Sequence, residues 1–125
     1  MKNIELWHLG DNKRQANKLF KLVKEGKKTA TSYLFEGTFE EAQYSFLTNW
    51  DKSEMILLET INTNLVKFKD VTPAHAYKEG EGNRTLKYWK KQHKKFFDKQ
   101  LKKQGKKFDE DILIITEEFK IKEKK

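Results

Sequence analysis

Thr72-Pro73-Ala74-His75-Ala76-Tyr77-Lys78-Glu79-Gly80-Glu81-Gly82 is the stretch on which the reading of this chain turns. Thr72-Pro73 is a helix start: a capping hydroxyl, then proline at the first helical position. Gly80 ends that short helix, and within it His75 and Glu79, four residues apart, share a face. Asn83 is expected to cap the next helix, from Arg84 to about Gln104, closed by Gly105. From His75 to Gly82 the chain packs a histidine, a lysine, two carboxylates and two glycines into eight residues. Charged side chains seldom bury and glycine costs conformational entropy, so packing alone gives little reason for this mixture. Glu79 also lies at a helix C-terminus, where the dipole disfavours acids. The stretch reads as a site.

Gly26-Lys27-Lys28-Thr29-Ala30-Thr31 is a second candidate. Lys28 is either a solvated lysine of a basic protein or a site lysine whose burial lowers its pKa until it serves as a base. Thr29 and Thr31 are either ordinary strand threonines or, beside a neutral lysine, nucleophiles. Lys28 and Thr31 are three apart, so in a regular strand they face opposite ways and converge only if the segment turns between them. A carboxylate paired with Lys28 would hold that lysine charged, whereas a desolvated one would keep its proton and act as an acid.

Working outward, Asp11 is expected to cap a helix from about Asn12 to Glu25, with Ala16, Leu19, Phe20 and Val23 forming its buried stripe. Gly26 then sits where a left-handed C-terminal cap is expected. Strands are expected at 31–35, 44–48 and 55–60, with 64–68 extending or repeating the last of these, a hairpin turn at Asn49-Trp50-Asp51-Lys52-Ser53 and an irregular turn from Glu36 to Gln43. Leu57, Leu58, Ile61, Leu65 and Val66 would feed a common core. The helix after Gly82 has an apolar face of Leu86, Trp89, Phe96, Phe97 and Leu101, with His93 near its middle. Its other face carries Lys87, Lys91, Lys95 and Lys102, with Tyr88 among them. On an apolar face His93 is expected to be a hydrogen-bonded core histidine; facing a pocket, it would stack on a base or move a proton. That basic face is either solvated or a phosphate-binding stripe with a stacking aromatic. A last strand runs from Asp111 to Thr116 and on to Lys122, and the residues after Ile121 are expected to fray.

The 125 residues suit a single domain of the α+β class. Lys and Arg number 27 against 19 Asp and Glu, a formal net charge of +8, which favours encounters with polyanions or reflects a lysine-rich proteome. The absence of cysteine excludes disulfides and fits a reducing compartment. With only His8, His75 and His93 besides, a tight structural zinc site is not expected. There is no P-loop and no dinucleotide fingerprint, and no cofactor is expected. No apolar run approaches a membrane span and none resembles a signal peptide, so a soluble cytoplasmic protein is expected.

Taken in order, Gly26 to Thr31, His75 to Gly82, Leu86-Lys87-Tyr88-Trp89 with His93, Phe96 and Phe97, and the closing Glu117-Glu118-Phe119-Lys120-Ile121 resemble the ASCH domain family over nearly the whole chain. The resemblance implies a PUA-like fold, a small, partly closed mixed β-barrel flanked by two main helices and a short one. It also implies a cleft where the lysine–threonine loop meets the glutamate loop. Family members are generally proposed to bind RNA, some resemble ribonucleases, and one branch hydrolyses the amide of acetylcytidine. Matched residue by residue, that branch's proton acceptor, nucleophile and proton donor fall on Lys28, Thr31 and Glu79. Around them, Lys27, Thr29, His75, Glu81, Arg84, Tyr88, Lys91 and His93 are expected to contact substrate or RNA. The expected function is binding of RNA or a modified nucleoside or nucleotide, with amide hydrolysis of acylated nucleosides or RNA cleavage as alternatives. No obligatory protein partner is implied. Two departures stand out: Ala42-Gln43 replaces the usual Gly-Asp, and Asn83 replaces an aspartate, removing a negative charge near the site.

Overall fold

The computed structural model describes residues 4–38 and 42–124. In chain order the elements are β1 (Leu6–Trp7), α1 (Lys13–Lys24), β2 (Ala30–Leu34), β3 (Tyr44–Thr48) and β4 (Met55–Lys67). A single 3-10 turn (Phe68–Asp70), α2 (Pro73–Glu79), α3 (Leu86–Lys103) and β5 (Leu113–Lys124) complete it. The strands form one sheet in the order β1-β3-β4-β5-β2. β1 runs parallel to β3 and the remaining pairs are antiparallel. The fold is thus α+β, with a mixed five-stranded sheet and three helices. The sheet stays open among the described residues, with β1 and β2 at its edges, so the barrel closure expected from the family is not seen.

α1 buries Ala16, Leu19, Phe20 and Val23, the stripe expected from its spacing. Its cap is Asn12 rather than Asp11. The Gln15 N–H donates to Asn12 Oδ1 at 2.9 Å, while Asp11 pairs with Lys99 at 3.3 Å. α3 likewise is capped not by Asn83 but by Thr85, whose hydroxyl accepts from the Tyr88 N–H. Asn83 acts one step earlier, accepting from the Thr85 N–H and hydroxyl. In both cases two residues close in sequence offer a capping oxygen and the later one caps, Asp11 being drawn off by Lys99 and Asn83 turned onto Thr85.

Of the two readings of 64–68, extension is the one observed: it continues the 55–60 segment as the single strand β4, paired with β5 from Ile56 to Lys67. Register shifts at Leu57/Leu58 and Thr60/Asn62 bend it. The second leaves Ile61 without a cross-strand partner, and that side chain is 56% exposed rather than in the core. Leu65 also faces out, because Val66, its neighbour in the alternating pleat, packs inward. Residues 122–124, expected to fray, belong to β5: Glu123 lies opposite Leu57 and Lys124 opposite Ile56. Part of the turn expected from Glu36 to Gln43 lies outside the described residues.

Two apolar clusters fill the molecule. Phe20 and Val23 of α1 pack with Leu47, Ile56, Leu58 and Phe119 of the sheet. Trp89, Phe97 and Leu101 of α3 pack with Phe68, Ala76, Leu34 and Ile114. Phe96, expected on that buried face, is 39% exposed. None of the helices among the described residues is long and apolar enough to cross a membrane. Because the β5 end is paired, deleting residues 122–125 should lower the thermal midpoint by at least about 3 °C, read by circular dichroism. An unchanged midpoint would indicate a tail that adds nothing.

Candidate functional site

The two loops singled out in the sequence meet. The Thr29 N–H donates to the Lys78 carbonyl at 2.7 Å, joining the start of β2 to the end of α2. Arg84 braces the same junction, donating from Nε to the Tyr77 carbonyl and from its terminal nitrogen to the Lys27 carbonyl. Its guanidinium lies 3.6 Å from the centre of the Tyr77 ring. The glycines follow from this closeness. Gly80 has φ +72°, and a Cβ there would lie 2.3 Å from the Lys27 carbonyl oxygen. A Cβ on Gly82 would lie 2.4 Å from the Tyr88 ring. Neither position admits a side chain without moving a neighbour.

At the centre of the junction Lys28 and Glu79 are almost completely buried, at 2% and 1% exposure. Lys28 Nζ donates to Glu79 Oε1 at 3.0 Å, Glu81 Oε2 at 3.1 Å and the Glu79 carbonyl at 3.3 Å. Glu79 Oε2 accepts from Trp89 Nε1 at 2.6 Å and from the Ser32 hydroxyl. The same oxygen lies 2.8 Å from His75 Nε2. His93 Nε2 stands 3.6 Å from Oε1. Lys28 precedes the first residue of β2, so strand alternation does not separate it from Thr31. Both line one cavity.

The charge state follows from these contacts. Burial alone would push the Lys28 ammonium down, but the Glu79 and Glu81 carboxylates outweigh it and hold Lys28 above its ordinary value. Burial alone would also keep Glu79 protonated, but the Lys28 charge, with the His75 and His93 rings beside it, holds its carboxyl well below the usual carboxylate range. At rest the pair is an ammonium and a carboxylate. Lys28 is therefore not the neutral base that one reading of its sequence expected.

The cavity has a volume of about 320 Å3 and lies between α1 and α3, over the edge strand β2. Lys28, Thr31, Ser32, Glu79, Glu81 and His93 line its floor; Tyr88, Gln92 and Phe96 line the α3 side. Lys18, Lys95 and Lys99 stand exposed at its rim. A second cavity of about 380 Å3 adjoins it, sharing Leu9, Gly10, Thr31, Ser32 and Phe96.

Of the expected site residues, Lys28, Thr31, Glu79, Glu81, Tyr88 and His93 meet at this cavity. The others do not line it. His75 holds Glu79 from behind and borders a separate cavity beside Lys78 and Glu118. Arg84 is occupied in bracing the loops. Lys27 is exposed and contributes its carbonyl, Thr29 ties main chains together, and Lys91 points to solvent beyond the cavity. His93 faces the cavity and stacks on Trp89, with ring centres 4.2 Å apart. Ser32, Lys18 and Lys99 were not singled out as site residues from the sequence, Trp89 was read only as apolar packing and motif, and Lys95 only as part of a basic helix face. A serine next to Thr31 and an indole N–H one helical turn before His93 were the available signals. Glu79, Glu81 and His93 each offer a ligand atom within 4.8 Å of the others. The Lys28 ammonium already sits between the two carboxylates and opposes a divalent ion there.

Two outcomes follow. Gly80→Ala should destabilise the fold and open the junction, lowering the thermal midpoint by more than Gly26→Ala, whose added Cβ meets nothing within 4 Å at a similar φ. Equal losses would mean that backbone strain alone matters. For the buried pair, the depressed Glu79 value gives stability present above the unfolded value of 4.5 and lost as pH falls through the folded one. The raised Lys28 value gives stability present below 10.5 and lost as pH rises through the folded one. Lys28→Met should cost roughly 3–5 kcal/mol near neutrality by leaving buried carboxylates uncompensated. The deficit should shrink on acidification, as Glu79 regains its proton. Denaturant melts across pH would contradict this if the deficit grew towards acid.

Comparison with known proteins places this geometry. A family model described as the ASCH domain matches residues 5–123. The crystal structure of an ASCH domain from Lactobacillus crispatus JV V101 is 26% identical, with a TM-score of 0.86, covering 94% of this chain and 79% of that one. A protein from Enterococcus faecalis V583 is also 26% identical, with a TM-score of 0.87, covering 97% of this chain and 77% of that one. No curated protein matches the chain. A family match from residue 5 to residue 123, and solved relatives that superpose over nearly all of the same elements, make this chain a member of the ASCH domain family.

Proposed function

We propose that this domain binds a nucleoside or nucleotide unit, free or within RNA, with the base in the cavity and phosphate against the rim lysines. The observation that carries this reading is the buried Lys28–Glu79–Glu81 cluster opening onto a cavity of about 320 Å3. Desolvating Lys28 and Glu79 carries a cost that packing with apolar side chains would avoid, which points to a use for the pair beyond stability. The volume sits at the low end of small-molecule sites, roughly 300–1,000 Å3, and suits one nucleoside rather than a folded segment. Tyr88 and Phe96 offer ring faces for a base, and Lys18 and Lys95 offer charge for the adjoining phosphates. Single-stranded RNA titrated at several salt concentrations tests the proposal. Lys18→Gln with Lys95→Gln should reduce the slope of log affinity against log salt by roughly 1.4, about 0.7 per phosphate contact. Affinity indifferent to salt, or an unchanged slope, would refute the phosphate contacts.

Amide hydrolysis of an acylated nucleoside is a second reading, favoured by the 3.0 Å Lys28–Glu79 contact beside the Thr31 hydroxyl. The resting charges are opposite to the roles carried over from the family. One proton passing from Lys28 Nζ to Glu79 Oε1 supplies both roles at once. Thr31 Oγ1 then attacks the amide carbon, and Lys28 takes its proton. Glu79 protonates the departing amine as the C–N bond breaks. The acyl group is left as an ester on Thr31, later cleaved by water, and the ion pair is restored. Acetylcytidine turnover should fall at least about 100-fold in Lys28→Ala, Glu79→Ala and Thr31→Ala alike. Turnover near that of the wild type in any one of them removes the role given to that residue. RNA cleavage has less support, because the Lys28 N–H groups that would face a phosphorane are already engaged.

A further inference from the structure

The hydrogen bonds of the cavity floor are unevenly used. An ammonium has three N–H donors, and Lys28 spends all three on Glu79 Oε1, Glu81 Oε2 and the Glu79 carbonyl. Glu79 is equally committed, with Lys28 on one oxygen and Ser32, His75 and Trp89 around the other. Glu81 is different. Its Oε2 faces Lys28, but its Oε1 accepts no hydrogen bond from the described residues, and its side chain is 27% exposed towards the cavity.

The floor therefore presents an unspent acceptor, Glu81 Oε1, and a positive charge with no donor left to give. A phosphate or carboxylate set there meets Glu81 and finds no N–H on Lys28. A group rich in N–H donors meets complementary lone pairs. Resting on the nucleoside reading above, we propose that the cavity selects bases carrying an exocyclic amino group, cytosine, adenine or guanine, and that Glu81 determines this specificity. The amino N–H donates to Glu81 Oε1. Uracil carries carbonyl oxygens on both sides of its single ring N–H on that edge, and at least one of them faces a carboxylate. Discrimination by such a contact is on the order of tenfold or more.

Calorimetric titration of the wild-type protein with cytidine, uridine and N4,N4-dimethylcytidine tests the assignment. Cytidine should bind at least about tenfold tighter than uridine, and the dimethyl derivative, which keeps the ring but loses both amino hydrogens, should fall to the uridine level. Glu81→Gln replaces one carboxylate oxygen with an NH2 donor and should shrink the cytidine preference to below about threefold, chiefly by improving uridine binding. The dimethylcytidine comparison needs no variant, so it decides the matter even if Glu81→Gln fails to fold. Equal binding of cytidine, uridine and the dimethyl derivative overturns the specificity while leaving the site in place. Binding of none of them, with adenosine and guanosine also silent, overturns the nucleoside reading itself.

Discussion

An ammonium and a carboxylate buried against one another, Lys28 on Glu79, set the terms for the rest of this structure. Removing two such charges from water costs several kcal/mol each, and their attraction repays this only when the remaining polar atoms are also satisfied. Here they are. Trp89 enters from α3, His75 from α2 and Ser32 from β2, and Glu81, in the loop beyond Gly80, accepts a further N–H of Lys28. Each partner belongs to a different segment, so the pair doubles as the point where those segments are registered. The close approach of the loops, and with it the glycine at position 80, follows from bringing the lysine and glutamate together at full burial.

The elements were legible in the sequence because periodicity reports burial. The α1 stripe, the β3–β4 hairpin and the Thr72-Pro73 start of α2 all appear where their spacing places them. Cap residues were displaced by one or two positions because Asp11-Asn12 and Asn83-Thr85 offer competing hydroxyls and carboxylates, and only the fold decides between them. Ile61 misled because a β-bulge breaks the alternation that a sequence pattern assumes. The end of β5 misled because its lysines and glutamates look like a solvated tail, yet backbone pairing with β4 is indifferent to their charge.

The site was less legible, and for a different reason. Residue types named its centre, since a lysine and a glutamate flanked by glycines fit poorly into ordinary packing. Types do not show direction. His75 and His93 were both among the expected contact residues, with His93 also read as a core histidine, yet they approach different oxygens of Glu79, and only His93 lines the cavity. Arg84 read as a substrate or RNA contact and serves as a brace between main-chain carbonyls. The +8 charge gave no hint that Lys18, Lys95 and Lys99 gather at one rim, because α1 and α3 are far apart in the chain.

The ties that close the junction end on backbone atoms, the carbonyls of Lys27, Tyr77 and Lys78, met by the Thr29 amide and by the Arg84 guanidinium. Any residue carries those carbonyls and that amide. The exposed side chain at position 27 is therefore free to change while the loops keep their separation, whereas Lys78 is also held through its side chain by Glu118. A domain tethered in this way can exchange much of its surface vocabulary and hold one cavity shape. That property suits a fold whose solved relatives share about a quarter of their residues with this chain and nearly all of its path.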